Sequence, residues 1–158
     1  MAKDFLEKAG GFILRFRSGH YELLLFRRSE PDIPFQIPGG GVEPGETVEA
    51  ALHREIWEES GLLNLPVRRK LGISERCRLK TQVTVRRHCF LLEAPSDTAD
   101  TWEHIIQGTG NDAGRRVIYG WVRPPFYCPL PDNYSLFLNP IHIPELYQAL
   151  ENQNQLFS

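Results

Sequence analysis

Residues 39–62 read GGGVEPGETVEAALHREIWEESGL, and their order predicts a tight glycine-rich loop that runs into one short helix. Thr47 can accept a hydrogen bond from a first-turn amide, Glu49 falls in the electropositive first turn, and Gly61 supplies the C-terminal stop. About four turns fit between them. At about 100° per residue, Val48, Ala51, Leu52 and Ile56 share one face, which is the face expected to be buried. Glu55 and Glu59 project from that same face, and Glu58 lies at its edge.

Ordinary helix energetics opposes this placement. Glu55 neighbours both Glu58 and Glu59, and each like-charge contact costs roughly 0.2 to 0.5 kcal/mol. The cluster also sits in the last turns, where the macrodipole is negative and a carboxylate costs a further ~0.3 to 1 kcal/mol. Partial burial adds more. Arg54 is the one basic side chain within the cluster, and one guanidinium offsets one carboxylate. A divalent cation resolves the remainder, and hard carboxylate oxygens favour Mg²⁺ or Mn²⁺ over zinc. Upstream, Pro38 to Gly41, Pro44 and Gly45 allow backbone groups to approach an ion or a phosphate closely.

The spacing is Gly40, five residues, Glu46, seven residues, then Arg54-Glu55-Ile56, one residue, Glu58-Glu59, one residue and Gly61-Leu62. This pattern resembles the complete signature of the Nudix hydrolases, with all nine defined positions filled across 23 residues. The resemblance implies hydrolysis of a nucleoside diphosphate linked to another moiety, by water attack on phosphorus assisted by Mg²⁺ or Mn²⁺. It implies metal ligation by Glu55 and Glu59, by Glu58 directly or through water, and by the carbonyl of Gly39. Arg54 would orient the glutamates, and Glu46 would hold the loop to the helix. Members of this family often draw a further acid from a loop beyond the signature, for which Glu103 and Asp112 are the candidates here. Arg15, Arg27, Arg86 and Arg87 lie in strands that could border a cleft. Guanidinium groups grip phosphate oxygens in a bidentate manner, and Arg27 and Arg87 are taken as the substrate-binding candidates. Phe35, Trp57, Trp102 and Tyr119 could stack on a base, but core packing is the commoner use of an aromatic.

Outward from the signature, Ala9–Arg17 and Tyr21–Arg28 read as a hairpin around Ser18-Gly19, and Phe35–Ile37 as a short strand. Val67–Ile73, Gln82–Glu93, Thr101–Gln107 and Arg115–Val122 complete a sheet, the last two separated by the turn-rich GTGNDAG. Prolines then dominate, and Pro144 can open a final helix whose Leu146, Ala149 and Leu150 share a face. The order predicts an α/β fold. With the family resemblance it becomes a Nudix-type α/β/α sandwich with a mixed, curved sheet, in one domain over residues 1–158.

Composition bounds the rest. The 158 residues are 41% hydrophobic and 24% charged, as expected for one domain with a real core. A net charge of −2 does not advertise a duplex nucleic-acid binder, so a small nucleotide or other diphosphate is expected, with no stable nucleic-acid complex. No apolar run approaches a signal peptide or a membrane span, and a cytoplasmic location is the default expectation. Family members are often dimers. Cys77, Cys89 and Cys128 are odd in number and widely spaced, which favours reduced thiols. The two competing readings are a non-catalytic nucleotide-sensing module on the same fold and an isomerase-like relative acting on isoprenoid diphosphates. The first would tolerate loss of the glutamates, and the second would need a cysteine at the cleft.

Overall fold

The computed structural model describes residues 5–30, 35–126, 130–131 and 133–148. Its strands are β1 (Phe5–Arg17), β2 (His20–Arg28), β3 (Gly39–Gly41), β4 (Val67–Arg78), β5 (Val83–Glu93), β6 (Thr101–Ile105) and β7 (Arg116–Val122), with one helix, α1 (Val48–Ser60). They form a mixed sheet in the order β4-β5-β1-β2-β7-β6, with β3 paired to the free end of β1. Among the described residues only the β1–β5 pairing is parallel, from Phe5 opposite Thr84 to Leu14 opposite Glu93.

Alternation along the central strands divides their side chains between two cores. Ala9, Ile13, Leu24, Phe26, Phe90, Leu92 and Val117 meet Leu52 and Ile56 of α1 on one face. Phe12, Leu14, Leu23, Leu25, Cys89 and Leu91 form the other, covered by Tyr134, Phe137, Ile143 and Leu146. Both faces of β1 and β5 are therefore enclosed, and their middle stretches read as continuous apolar runs.

Several boundaries differ from the sequence expectation. Phe35–Ile37 contributes an isolated bridge between Phe26 and Gln36. β4 runs five residues beyond Ile73 to Arg78, because its polar end pairs with β5 while its side chains stay in solvent. Pro144 opens a short 3-10 turn, Pro144–Leu146, and the expected helix partners Ala149 and Leu150 lie outside the described residues. Of the cysteines, Cys89 is buried and Cys77 exposed, both as free thiols, and Cys128 falls outside the described residues. No helix among the described residues is long and apolar enough to cross a membrane.

The C-terminal layer is tied to edge strand β4 by charge. Arg69 donates to both oxygens of Glu145 at 2.7 and 2.8 Å and also to the carbonyl of His142 at 2.8 Å. Hydrogen bonding from Arg69 holds the Glu145 carboxyl below its ordinary 4.5, against the opposing effect of burial. A depressed folded-state value stabilises the fold fully above the unfolded value, and that contribution disappears as pH falls through the folded value. Thermal unfolding between about pH 7 and pH 3 should therefore fall more steeply for the native chain than for Glu145→Gln, which should be ~1 kcal/mol less stable at neutral pH. Parallel curves would remove this ion pair from the account of acid stability.

Candidate active site

α1 begins where Thr47 Oγ1 accepts the amide of Ala50 at 3.1 Å, and it stops at Gly61 in the left-handed conformation, φ 81°. The amide of Gly61 donates to Trp57 O, as in an αL cap. No basic side chain stands in the last turn. The end of the helix is stabilised instead from β6, β7 and the loop that joins them. Glu58 O accepts from His104 Nε2 at 2.9 Å and from the Gln107 amide at 2.8 Å. Glu59 O accepts from Tyr119 Oη at 2.8 Å, and Ser60 O from Trp102 Nε1 at 3.0 Å. Three consecutive carbonyls that a helix end leaves without intrahelical partners are thus satisfied from across the core. Trp102 and Tyr119 stack on one another, 4.9 Å apart and 12° from parallel, so both aromatics serve the core.

The carboxylates converge on Arg54. Its Nε and Nη2 bind both oxygens of Glu46 at 2.8 and 2.9 Å, and Nη2 also donates to Gly41 O at 2.8 Å. Its Nη1 bridges Glu55 at 3.0 Å and Glu58 at 3.1 Å. Glu46 returns a bond to the amide of Glu43, closing the loop. The hydrogen bonds from Arg54, helped by the Glu43 amide, pull the Glu46 carboxyl down to about 2. Glu59 stands apart from this guanidinium: it is 8% exposed and accepts the amide of Gly39 at 3.1 Å. Burial pushes its carboxyl up to about 8, opposed by the Gly39 bond and reinforced by the charges of Glu55 and Asp112. Burial likewise raises Glu55.

These groups line a cleft of about 470 Å³, closed on the far side by the loop from Ile106 to Ala113. Larger hollows lie beside the start of α1, about 590 Å³, and at the β4–β5 turn, about 730 Å³, but neither gathers the glutamate cluster. Two glycines make room for the carboxylates. A Cβ on Gly40 would fall 2.4 Å from the carboxyl carbon of Glu55, and one on Gly108 2.7 Å from that of Glu58. Gly108 also has φ +94°, so its loop needs glycine twice over.

The donor set suits a hard divalent cation: crowded carboxylate oxygens with raised proton affinity, a glycine cradle that only an absent Cβ permits, and one guanidinium among them. Among the described residues no three carboxylate, histidine or cysteine side chains form a ready-made coordination cluster. Arg54 Nη1 binds one oxygen of Glu55 and one of Glu58, so the other oxygen of each carboxylate is the one available to an ion.

The remaining expected residues divide. Asp112 lines the cleft and is held by Arg28 at 2.9 Å. Glu103 does not belong there: it is exposed on the face of β6 opposite Trp102 and His104, 3.8 Å from Arg116. Arg27 is also corrected, since strand alternation turns it away from α1 while its neighbour Arg28 takes the inward position. Arg87 shares the Cys89 face of β5, with its guanidinium 5.9 Å from the Tyr134 ring. Sequence reasoning missed Lys8, Arg28 and Gly108; the glycine-rich run around 108–114 was the available signal for the last.

A family model described as NUDIX domain matches residues 7–113. A "Putative 8-oxo-dGTP diphosphatase" of Bacillus subtilis is 38% identical over 68 residues, 42% of this chain and 43% of that protein. An "RNA pyrophosphohydrolase" of Serratia proteamaculans is 40% identical over 58 residues, 37% of this chain and 31% of the relative. The matched segment thus spans less than half of either curated relative. A MutT NUDIX hydrolase from Burkholderia pseudomallei superposes with TM-score 0.57 at 23% identity, over 85% of this chain and 95% of that one. The E. coli ORF135 protein does so with TM-score 0.54 at 22% identity, over 94% and 92%.

The glycine cradle yields a direct test. In Gly40→Ala the Glu55 carboxylate must leave its place, yet it is the flexible end of a side chain, so the fold should survive. Calorimetric titration with Mn²⁺ should show affinity reduced by roughly 10- to 100-fold, with a melting temperature within a few degrees of the parent. Undiminished Mn²⁺ uptake would mean that Glu55 is no ligand.

Proposed function

Because this chain belongs to the NUDIX family, whose model covers more than half of it, we propose that it is a divalent-metal-dependent hydrolase of the diphosphate linkage in a nucleotide or related compound. The observation that carries this reading is the glutamate cluster: Glu55, Glu58 and Glu59 open on one cleft beside Gly39, with a single guanidinium among them. A pyrophosphate would be repelled by that cleft without cations between them.

In this reading Glu55, Glu59 and the carbonyl of Gly39 hold Mg²⁺ or Mn²⁺, with Glu58 a further direct or water-mediated ligand. The ion supplies charge neutralisation at the phosphate oxygens and lowers the pKa of a bound water. Arg54 fixes the glutamate rotamers from behind, and its bidentate grip on Glu46 anchors loop and helix to each other. Asp112 is the candidate general base: it lies in the cleft, and Arg28 holds its carboxylate in place. Water oxygen bonds to one phosphorus as its proton passes to Asp112. The bridging P–O bond breaks, and the bridging oxygen departs with the electron pair on the second phosphate. Lys8 also lines the cleft wall and is proposed to receive phosphate charge.

Neither alternative reading draws comparable support. A sensing module would not require the intact set of glutamates, and the isomerase-like reading needs a cleft cysteine, whereas neither described cysteine lines the cleft.

Three substitutions separate the roles. With Mg²⁺ and a panel of nucleoside diphosphate derivatives, Glu59→Gln should lower kcat by at least ~10²-fold, and Asp112→Asn by roughly 10² to 10⁴ with little change in KM. Glu103→Gln should remain within about twofold of the parent, as expected for an exposed side chain remote from the cleft. Full turnover by Glu59→Gln would defeat the metal assignment, and full turnover by Asp112→Asn would move the base elsewhere.

A further inference from the structure

Where β4 turns into β5 the surface holds a hollow of about 730 Å³, lined by Arg76, Arg78, Lys80 and Arg87 together with Leu79, Thr81 and Val85. Val85 shares strand parity with Cys89 and Leu91, so the hollow opens on the face of the sheet opposite α1 and its glutamates. Register explains the concentration of charge. Ser74, Arg76 and Arg78 oppose Arg87, Val85 and Val83, and residues directly opposite in an antiparallel pair point to the same face. Buried Val85 and Arg87 make the floor, and exposed Arg76, Arg78 and Lys80 make the rim.

Nothing in the hollow balances this charge among the described residues: no carboxylate lines it, and Arg76, Arg78 and Lys80 carry no ion pair. The stretch 76–82, RCRLKTQ, holds three basic residues and no acid. The acid just before it, Glu75, alternates to the other face, where it accepts Arg86 at 2.9 Å. Charge on an edge strand also guards against pairing with a second chain. That accounts for Arg76 and Arg78, but not for Lys80 in the turn or for Arg87 on the inner strand β5. Four like charges around one concavity repel one another, and a single polyanion relieves all of them.

We propose that this hollow is a second ligand site, independent of divalent metal, for a small molecule that carries a run of closely spaced phosphates. Guanidinium forks take phosphate oxygens in pairs, and three forks with one ammonium match several phosphates, whereas a lone carboxylate would leave most of the donors unmatched. Thr81 adds a hydroxyl donor to the lining, and Leu79, 90% exposed at the tip, offers apolar contact to the rest of the ligand. The glutamate cleft accepts phosphates only with cations between, while this hollow supplies the positive charge itself. The site stands apart from the hydrolase reading and does not depend on it.

Calorimetric titration of the full chain with inorganic tripolyphosphate in EDTA tests the proposal, because without metal the glutamate cleft repels the probe. The parent should bind, and Arg76→Ala/Arg78→Ala/Lys80→Ala should bind at least ~30-fold more weakly. All three side chains are exposed and unpaired among the described residues, so the variant should melt within a few degrees of the parent. Glu59→Gln should bind as the parent does, and salt of about 1 M should weaken binding by both. Binding that survives in the triple variant, or that requires Mg²⁺ and is lost in Glu59→Gln, would overturn the second site and leave the hydrolase reading standing. Absence of binding by the parent would overturn it as well. Two further arms identify the source of the phosphates. Displacement of tripolyphosphate by a nucleoside triphosphate in EDTA points to free nucleotides, and sedimentation with vesicles that contain a bisphosphorylated inositol lipid points to a headgroup; either supports the site when the triple variant loses it. An oligoglutamate peptide that displaces tripolyphosphate at lower concentration than the nucleotide would overturn the phosphate assignment.

Discussion

Carboxylates collected at the C-terminal end of a helix repel each other and the helix dipole, and most of the unusual chemistry in this fold answers that one repulsion. Arg54 answers it at the side chains, distributing one guanidinium over Glu46, Glu55 and Glu58 and a loop carbonyl. β6, β7 and the loop between them answer it at the backbone, sending Trp102 and His104, Tyr119 and the Gln107 amide to the final carbonyls. Glu59 is not bonded to Arg54; burial pushes its carboxyl up to about 8, with the Gly39 amide as its hydrogen-bond donor. Each answer is partial, which is why a divalent cation is proposed to complete the site.

How much of this could be read in advance depended on whether a feature was local. The helix and its buried face followed from periodicity and capping residues within one segment, and Thr47 and Gly61 bound it as their chemistry requires. Glu55, Glu58 and Glu59 were visible for the same reason. The second rank of residues was not, because it depends on which strand lands beside which. Strand parity between Arg27 and Arg28 decides which guanidinium reaches Asp112, and no local pattern fixes parity where both neighbours are arginine. The position of Glu103 depended on parity likewise: in TWEHI the inward places went to Trp102 and His104, which bond the helix end, and Glu103 faces solvent. The polar tail of β4 resembled a loop because an edge strand in solvent need not alternate with apolar residues.

Average composition hid the distribution of charge. A net charge near neutrality combines an acidic cleft with a basic turn, and strand register keeps them on separate patches. Averages over a chain say little about potential at a surface a few residues wide. The parallel β1–β5 pairing sets Lys8 and Arg87 side by side although 79 positions separate them in sequence.

The capture of the helix end by Tyr119, Trp102 and His104 means that the helix is not a portable cassette. Transplanted into another scaffold with its sequence intact, residues 39–62 would carry every residue of the recognisable pattern and none of the side-chain donors that reach its last three carbonyls. Divergence among relatives should therefore be restrained at aromatic and imidazole positions far from the pattern, because those side chains act as the mould in which the acidic edge is cast.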